Sequence, residues 1–117
     1  MISLDLPWPP TTNTMYAVVR GRKILSKKGR IYKADVLQIV LQRGVNHSLS
    51  GRIKLYIDAF PPDKRRRDIS NIIKAIEDAL TNAGVWLDDS QIDELIVTRC
   101  EREKGGRVHI QVTQIEN

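Results

Sequence analysis

The sequence has little cysteine, no long apolar run and no internal repeat, and each absence narrows what the protein can be. Cys100 is the only cysteine among the 117 residues, so an intrachain disulfide is excluded. His47 and His109 stand apart, which leaves no cysteine–histidine cluster for structural zinc. No apolar run approaches the roughly 20 residues of a membrane span, and no secretion signal is evident at the N-terminus. We therefore expect a cytoplasmic protein without a membrane segment, folded as one domain over residues 1–117.

Acidic residues are absent from positions 20–33, and this gap makes the charge distribution informative. The segment contains seven basic residues: Arg20, Arg22, Lys23, Lys27, Lys28, Arg30 and Lys33. A second basic cluster spans 64–67, whereas acids gather within 77–94. The net charge of +5 and the isoelectric point near 9.6 favour a polyanionic partner. Separate basic and acidic zones suit an enzyme that binds a phosphate backbone beside a metal site.

The hydrophobic pattern predicts an α+β fold, a mixed sheet with two main helices packed on it. Strands are predicted over 1–6, 15–19, 23–25, 52–60, 95–100 and 108–115, and helices over 28–43 and 69–83. Positions 15–25 are predicted to form a hairpin around Gly21, and Ser26 to cap the first helix, which ends at Gly44. The last two strands are predicted to pair antiparallel across a turn at Gly105-Gly106.

Both predicted helices contain regularly spaced apolar residues, and the second is predicted to bury them as a stripe. In the first helix the apolar positions are Ile31, Val36, Ile39, Val40 and Leu41. In the second they are Ile69, Ile72, Ile73, Ile76, Leu80 and Ala83. A helical wheel places Ser70, Asn71, Lys74, Asp78 and Thr81 on the opposite side of the second helix, which is therefore the side available for chemistry.

Asp68 lies at the predicted start of the second helix, where two roles are open to it. Backbone N–H groups at a helix N-terminus favour an ionised carboxylate, and an ionised carboxylate can bind Mg²⁺. An ordinary N-cap uses the same residue type at the same position. The two roles are compatible, because one carboxylate can both cap a helix and bind a cation.

Arg65, Arg66 and Arg67 precede Asp68, and guanidinium groups there can bind phosphate through paired hydrogen bonds. A solvated loop is the simpler alternative. Lys74 has two possible roles as well. It can form an i,i+4 ion pair with Asp78 or stabilise charge that develops on a phosphate.

Asp88 and Asp89 follow Trp86, which we predict to anchor their loop. They are either turn and cap residues or metal ligands, and the second role requires the loop to fold back onto Asp68. The N-terminal Trp8 is predicted to wall the core or to stack on a base, and Asn13 is open to a polar role.

Taken together, these residues resemble the RusA family of crossover-junction endodeoxyribonucleases, which are Holliday-junction resolvases of bacteria and phages. The resemblance is carried, in family order, by Leu6-Pro7-Trp8-Pro9-Pro10 with Asn13, Arg65-Arg66-Arg67-Asp68, Asn71 with Lys74, Asp78-Ala79-Leu80-Thr81, Ala83-Gly84-Val85-Trp86-Leu87-Asp88-Asp89-Ser90-Gln91 and Gly105-Gly106-Arg107. It covers nearly the whole chain.

The resemblance implies a homodimer that nicks four-way junction DNA with Mg²⁺. It implies that Asp68, Lys74 and Asp89 are catalytic and that Asp68, Asp88 and Asp89 bind the metal. DNA contacts are then expected from Asn13, Lys27, Lys28, Arg30, Arg65, Arg66, Arg67 and Asn71.

Ser70 departs from the family pattern, which usually has a second aspartate at this position. Three explanations are open. The site works with its remaining acids and uses Ser70 through a water; Glu77 or Asp58 compensates; or the protein binds junctions and cuts them poorly. We favour the first, because every other matched residue is intact. A general nucleic-acid-binding domain whose acids are structural is the other alternative.

Overall fold

The computed structural model describes residues 1–115, which form an α+β fold as predicted. In chain order the elements are β1 (Ile2–Leu6), α1 (Thr12–Met15), β2 (Tyr16–Val19), β3 (Arg22–Leu25), α2 (Lys27–Arg43), β4 (Ile53–Phe60), a 3₁₀ turn (Ile69–Ile72), α3 (Ile73–Asn82), a second 3₁₀ turn (Asp89–Gln91), β5 (Ile92–Arg99) and β6 (Arg107–Gln114). Across these residues, no helix is long and apolar enough to cross a membrane.

Within residues 1–115 the main sheet has four strands in the order β1-β6-β4-β5. Strand β6 pairs antiparallel with both β1 and β4, whereas β5 pairs parallel with β4. The predicted antiparallel pairing of the last two strands is therefore wrong, because β4 lies between them. The turn at Gly105-Gly106 does exist, with φ of 85° and 72°. The parallel pair needs a crossover, and α3 supplies it.

The core lies between one face of this sheet and the helices α2 and α3. Strand β4 alternates buried and half-buried side chains along its whole length, as its period-2 sequence predicts. Two apolar positions of the first helix, Ile31 and Leu41, are 51% and 54% exposed. Helix α2 instead turns Gly29, Tyr32, Val36 and Val40 inward. This i,i+3/i+4 series sets the rotation of the helix and carries Ile31 and Leu41 outward.

Strands β2 and β3 form the predicted hairpin, a two-stranded sheet separate from the main one. Its turn uses Arg20 and Gly21, both with positive φ. Ser26 caps α2 as predicted, accepting a hydrogen bond from the Gly29 amide. Gly29 also lets α2 approach α1, because a Cβ there would lie 2.2 Å from the Met15 carbonyl oxygen. Gly44 ends α2 with a left-handed conformation, also as predicted.

The predicted helix over 69–83 begins differently in the structure. Residues 69–72 form a 3₁₀ turn, and the α-helix proper starts at Ile73. Ile72, Ile76, Leu80 and Ala83 are buried as predicted, whereas Ile69 and Ile73 are half-buried. Because a 3₁₀ turn has three residues per turn, the wheel does not extend to Ser70 and Asn71, and both are exposed.

Candidate active site

Asp68 ends the loop after β4 and is exposed at the start of the 3₁₀ turn. Its carbonyl accepts the Asn71 amide at 3.1 Å, but within the described residues its side chain makes no capping hydrogen bond. Of the two roles open to Asp68, side-chain capping is therefore not observed, although the residue does occupy the N-cap position. Asp68 also lies five positions before the start of α3, so the dipole of that helix acts on it less than the sequence suggested.

Asp68 lines a hollow of about 340 Å³, here called the Asp68 hollow. The hollow combines an aromatic ring, two guanidinium groups, an amide and a carboxylate. Its walls are Trp8, Thr11, Arg66, Arg67, Asp68, Asn71 and Ile72. The Thr12 hydroxyl donates to the Asn71 carbonyl at 3.1 Å, which ties α1 to the segment that follows Asp68.

Arg67 is the best-held member of the arginine cluster. Its guanidinium donates to both carboxylate oxygens of Asp63, at 2.6 and 3.1 Å, and lies over the Trp8 ring at 6.0 Å from the centroid. These hydrogen bonds, helped by the Arg65 amide, lower the pKa of Asp63 to about 2. Arg99, at the end of β5, donates to the Arg67 carbonyl at 2.7 Å. The simple solvated-loop alternative therefore does not describe Arg67, which forms a fixed wall.

Trp8 is half-buried and packs against the core while it lines the Asp68 hollow. The turn before β6 closes against it, because a Cβ on Gly106 would lie 2.9 Å from the Trp8 Cβ and 3.1 Å from Pro62. Only glycine fits this approach, and Gly106 also has a positive φ of 72°. Trp8 thus serves as a core wall and presents part of its surface to the hollow.

The loop that carries Asp88 and Asp89 is held by a capping box. The Asp88 carboxylate accepts the Ser90 amide at 2.9 Å, and the Gln91 side chain accepts the Asp88 amide at 2.7 Å. The hydrogen bonds to Ser90 lower the pKa of Asp88, and the charge of Lys74 acts in the same direction. The predicted capping role of this aspartate pair is confirmed for Asp88.

Gln91 is the residue that the functional interpretation of the sequence missed. It is only 7% exposed, and its Nε2 donates to the carbonyls of Leu49 and Gly51 at 2.7 and 2.8 Å. Its Oε1 also accepts the Leu87 amide at 2.9 Å. An aspartate followed three residues later by glutamine is a readable capping-box signal. Gln91 fixes the backbone from which Asp88 and Asp89 project.

Trp86 anchors the same loop, as predicted. It is 1% exposed, and its Nε1 donates to the Thr81 hydroxyl at 2.7 Å. The Thr81 hydroxyl in turn donates to the Glu77 carbonyl at 2.7 Å. This chain of hydrogen bonds ties the loop to α3, beside Asp78.

Lys74 lies between two carboxylates. Its Nζ is 3.1 Å from Asp78 Oδ1 and 3.4 Å from Asp89 Oδ2. The predicted i,i+4 pair with Asp78 is thus present, and the link to Asp89 brings the loop back onto α3. Asp89 lines a second hollow of about 290 Å³, the Asp89 hollow, with Lys33, Asp78, Thr81, Asn82 and Asp88.

Negative charge is concentrated around Asp89. Burial raises the pKa of Glu77 and of Asp78, and the charge of Asp89 raises both further. Lys74 opposes this effect at Glu77. The carboxylates around Asp89 therefore repel one another, and an additional cation bound there would relieve that repulsion.

The remaining predicted DNA contacts lie on the surface. Asn13 is exposed on α1, and Lys27, Lys28 and Arg30 are exposed on the first turns of α2. Arg65 is exposed beside Asp63, with its Nε 3.7 Å from Oδ2 of that residue. Ser70 is exposed on the 3₁₀ turn, between Asp68 and Lys74 in the chain.

The structure divides the three predicted metal ligands between the two hollows. Asp88 and Asp89 line one, and Asp68 lines the other. No group of three histidine, cysteine, aspartate or glutamate side chains placed to hold a metal ion occurs in residues 1–115. The donors nevertheless fit Mg²⁺ in kind, because this ion prefers carboxylate oxygens and is commonly held by one or two of them plus water.

Comparison with known proteins identifies the family. The profile of the family described as Endodeoxyribonuclease RusA matches residues 7–113. The chain belongs to the RusA family. Among RusA proteins, the crossover junction endodeoxyribonuclease of Shigella sonnei is 40% identical over 115 residues, which cover 98% of this chain and 96% of that protein. The Escherichia coli K12 protein of that name gives the same values. The RusA protein of Enterobacteria phage 82 is 40% identical over 114 residues, covering 97% and 95%.

Proposed function

We propose that this chain is a structure-specific endodeoxyribonuclease that resolves four-way DNA junctions by paired, Mg²⁺-dependent nicks. The main support for this function is the 40% identity, over nearly the full length of both chains, to proteins named crossover junction endodeoxyribonuclease. The site contributes the chemistry that such a reaction requires: carboxylates around Lys74 and a hollow lined with guanidinium groups.

Lys74, Arg66 and Arg67 each have a definite role in the proposed reaction. Lys74 is a cation held by Asp78 and Asp89, and it offsets negative charge on the phosphate in the transition state. Arg66 and Arg67 line the Asp68 hollow and bind the DNA backbone beside the scissile bond. Arg67 keeps its orientation because Asp63 holds both ends of its guanidinium fork.

Asp68, Asp88 and Asp89 are the residues proposed to hold Mg²⁺. When bound, the ion would supply Lewis-acid polarisation of the phosphate and a more acidic water. Asp88 keeps a fixed orientation through its bond to the Ser90 amide, whereas the Asp68 carboxylate makes no capping bond in the described chain. We expect DNA bound in the Asp68 hollow to bring the carboxylate oxygens of Asp68 towards those of Asp88 and Asp89.

We expect the protein to act as a homodimer because of the symmetry of its proposed substrate. A four-way junction has approximate twofold symmetry, so two copies related by a twofold axis can place one site on each of two opposed strands. The exposed basic residues Lys27, Lys28 and Arg30 are then available for the arms. Their contacts are to phosphate, so binding should weaken steeply with added salt.

The decisive experiment compares nicking of a four-way junction in Mg²⁺ by the wild type, Asp68→Asn and Ser70→Asp. We expect paired nicks from the wild type and from Ser70→Asp. We expect Asp68→Asn to bind the junction with little change in Kd and to lose at least about 100-fold in nicking rate, since a ligand is removed.

A second candidate function, a junction-binding protein that does not cleave, is favoured by Ser70. It predicts wild-type binding without nicks and the appearance of nicks in Ser70→Asp, and that result would remove the enzyme proposal. Equal affinity for linear duplex and four-way junction at moderate salt would instead indicate a general nucleic-acid-binding domain.

A further inference from the structure

The β2–β3 hairpin carries exposed aliphatic side chains that the proposed chemistry does not use. Val18 is 75% exposed, Val19 is 48% exposed and Ile24 is 45% exposed. A two-stranded sheet has few ways to bury apolar groups by itself, and exposed aliphatic residues concentrated on one small element mark a contact surface. The partner of this surface therefore has to be sought outside the hairpin.

The charge of the hairpin identifies the chemistry of that partner. Val18 lies opposite Lys23, and Val19 lies opposite Arg22 in the antiparallel register. Arg20 forms the turn, and no acid occurs anywhere in 20–33. Among residues 1–115, none of the ion pairs involves Arg20, Arg22 or Lys23. A surface that pairs aliphatic and cationic side chains is complementary to nucleic acid, which offers stacked apolar bases beside phosphates.

The hairpin is anchored next to the Asp68 hollow. Helix α1 ends where β2 begins, and Thr12 of α1 donates to the Asn71 carbonyl. The base of the hairpin is closed by Ser26, whose amide donates to the Met15 carbonyl at 3.0 Å. Four residues per strand at about 3.3 Å each give an arm of roughly 13 Å, about the width of a DNA major groove.

We propose that the tip of the hairpin enters the crossover of a branched DNA, where Val18 on one face and Val19 on the other contact unstacked bases, while Arg22 and Lys23 contact the flanking phosphates. Insertion costs stacking energy, and this cost is lowest where stacking is already interrupted, as at a branch point. The hairpin thereby favours junctions over linear duplex and fixes the branch point relative to Asp68. This inference rests on the proposed function, since it takes the branched substrate from there.

The test uses a four-way junction with 2-aminopurine beside the branch point, in EDTA so that no strand is cut. The fluorescence of this base rises when it loses its stacked neighbours. Wild-type protein should raise the signal beside the branch and leave it unchanged with the probe well inside an arm. Val18→Ser/Val19→Ser should abolish the rise and increase the junction Kd roughly tenfold, equivalent to about 1.4 kcal/mol.

Two control variants separate the apolar contact from charge and from general surface effects. Arg22→Ala should retain the fluorescence rise while it lowers the dependence of log Kd on log salt by about one phosphate contact. Leu41→Ser makes a similar apolar-to-polar change on α2, where Leu41 is 54% exposed, and should behave as wild type. If the double valine variant does not fold, Val18→Ser alone gives the same test, because Val18 is the most exposed of the three.

A fluorescence rise that persists in the valine variant would overturn the inference, as would its loss in Leu41→Ser. Sedimentation supplies a further criterion. A wild-type dimer that becomes a monomer on valine substitution would assign the hairpin to a contact between copies. If the wild type nicks the junction in Mg²⁺ but does not raise the fluorescence, the hairpin contact is excluded and the proposed function stands. A fluorescence rise without nicking in Mg²⁺ removes the proposed catalysis and leaves the hairpin contact standing.

Discussion

The Asp68 hollow and the Asp89 hollow hold their carboxylates in opposite ways. Around Asp89 the loop is fixed by buried Trp86 and Gln91, and Lys74 bridges it to α3. In the Asp68 hollow the cation Arg67 is fixed by Asp63, but in the described chain the Asp68 carboxylate itself makes no capping bond. One half of the candidate site is set by the fold alone, and the other half leaves the orientation of its acid to whatever binds there.

The largest effect is expected from Gln91→Leu, which removes the hydrogen bonds that fix the loop carrying Asp88 and Asp89. The substitution leaves the Leu87 and Asp88 amides and the Leu49 and Gly51 carbonyls without their side-chain partner. We expect the free energy of unfolding to fall by about 2–4 kcal/mol, because buried groups lose hydrogen bonds. A displaced Asp89 should also lower the nicking rate about 100-fold.

Urea unfolding measures the first effect, and single-turnover nicking at a temperature where the variant is folded measures the second. Gln38→Leu, on the exposed face of α2, is the matched control and should leave both unchanged. A stability loss with unchanged nicking would mean that the position of the Asp88-Asp89 loop does not matter for cleavage.

A smaller effect should distinguish the two roles of Asp88. Asparagine caps a helical turn as well as aspartate does but carries no charge, whereas alanine does neither. If Asp88 holds the metal as well as the turn, Asp88→Asn should keep the wild-type unfolding midpoint and lose about 10- to 100-fold in nicking. Asp88→Ala should lose both stability and nicking.

Calorimetric titration with Mn²⁺ in the absence of DNA gives this prediction a readout apart from activity. The affinity of Asp88→Asn should fall together with its nicking rate. Unchanged Mn²⁺ affinity and unchanged nicking would leave Asp88 with its capping role alone.

The smallest effect is expected at Asp63, which fixes the cationic wall of the Asp68 hollow. Its pKa is lowered from 3.8 to about 2, so it contributes stability above pH 4 that is lost as the pH falls through 2. The difference in unfolding midpoint between wild type and Asp63→Asn should be constant above pH 4 and vanish near pH 2. A double-mutant cycle with Arg67→Gln should show the two substitutions to be non-additive at pH 7. Additivity would mean that Asp63 does not hold Arg67.

Local signals in the sequence predicted the elements that depend on neighbours in the chain. The β2–β3 hairpin, the Ser26 and Gly44 caps and the alternation of β4 all follow from residues within a few positions of one another. The pairing of β5 did not, because a glycine turn between β5 and β6 cannot reveal that β4 lies between them. That arrangement is decided by contacts between segments distant in the chain.

The candidate site was predictable in its composition and less so in its geometry. The role of Trp86 as an anchor and the Lys74–Asp78 pair could be inferred from spacing. The placement of Asp68 and Asp89 in two hollows could not, because each hollow is also lined by residues distant in the chain, Trp8 and Thr11 in one and Lys33 in the other. The rotation of α2 cannot be read from its aliphatic residues, since Gly29 and Tyr32 are inward positions that an aliphatic count ignores.

Strand β6 determines when the sheet beneath the candidate site can be completed. It lies between β1 and β4, and the β1–β6 pairing joins Ile2 to Val112. During synthesis the first strand must therefore wait for nearly the whole chain before its edge is covered, and such long-range closure is slow. The turn that packs Gly106 against Trp8 is also synthesised late, because Gly106 lies near the end of the chain. A nascent chain on the ribosome would thus carry the acids and the lysine before the candidate site is complete, so the site forms only when synthesis is nearly finished.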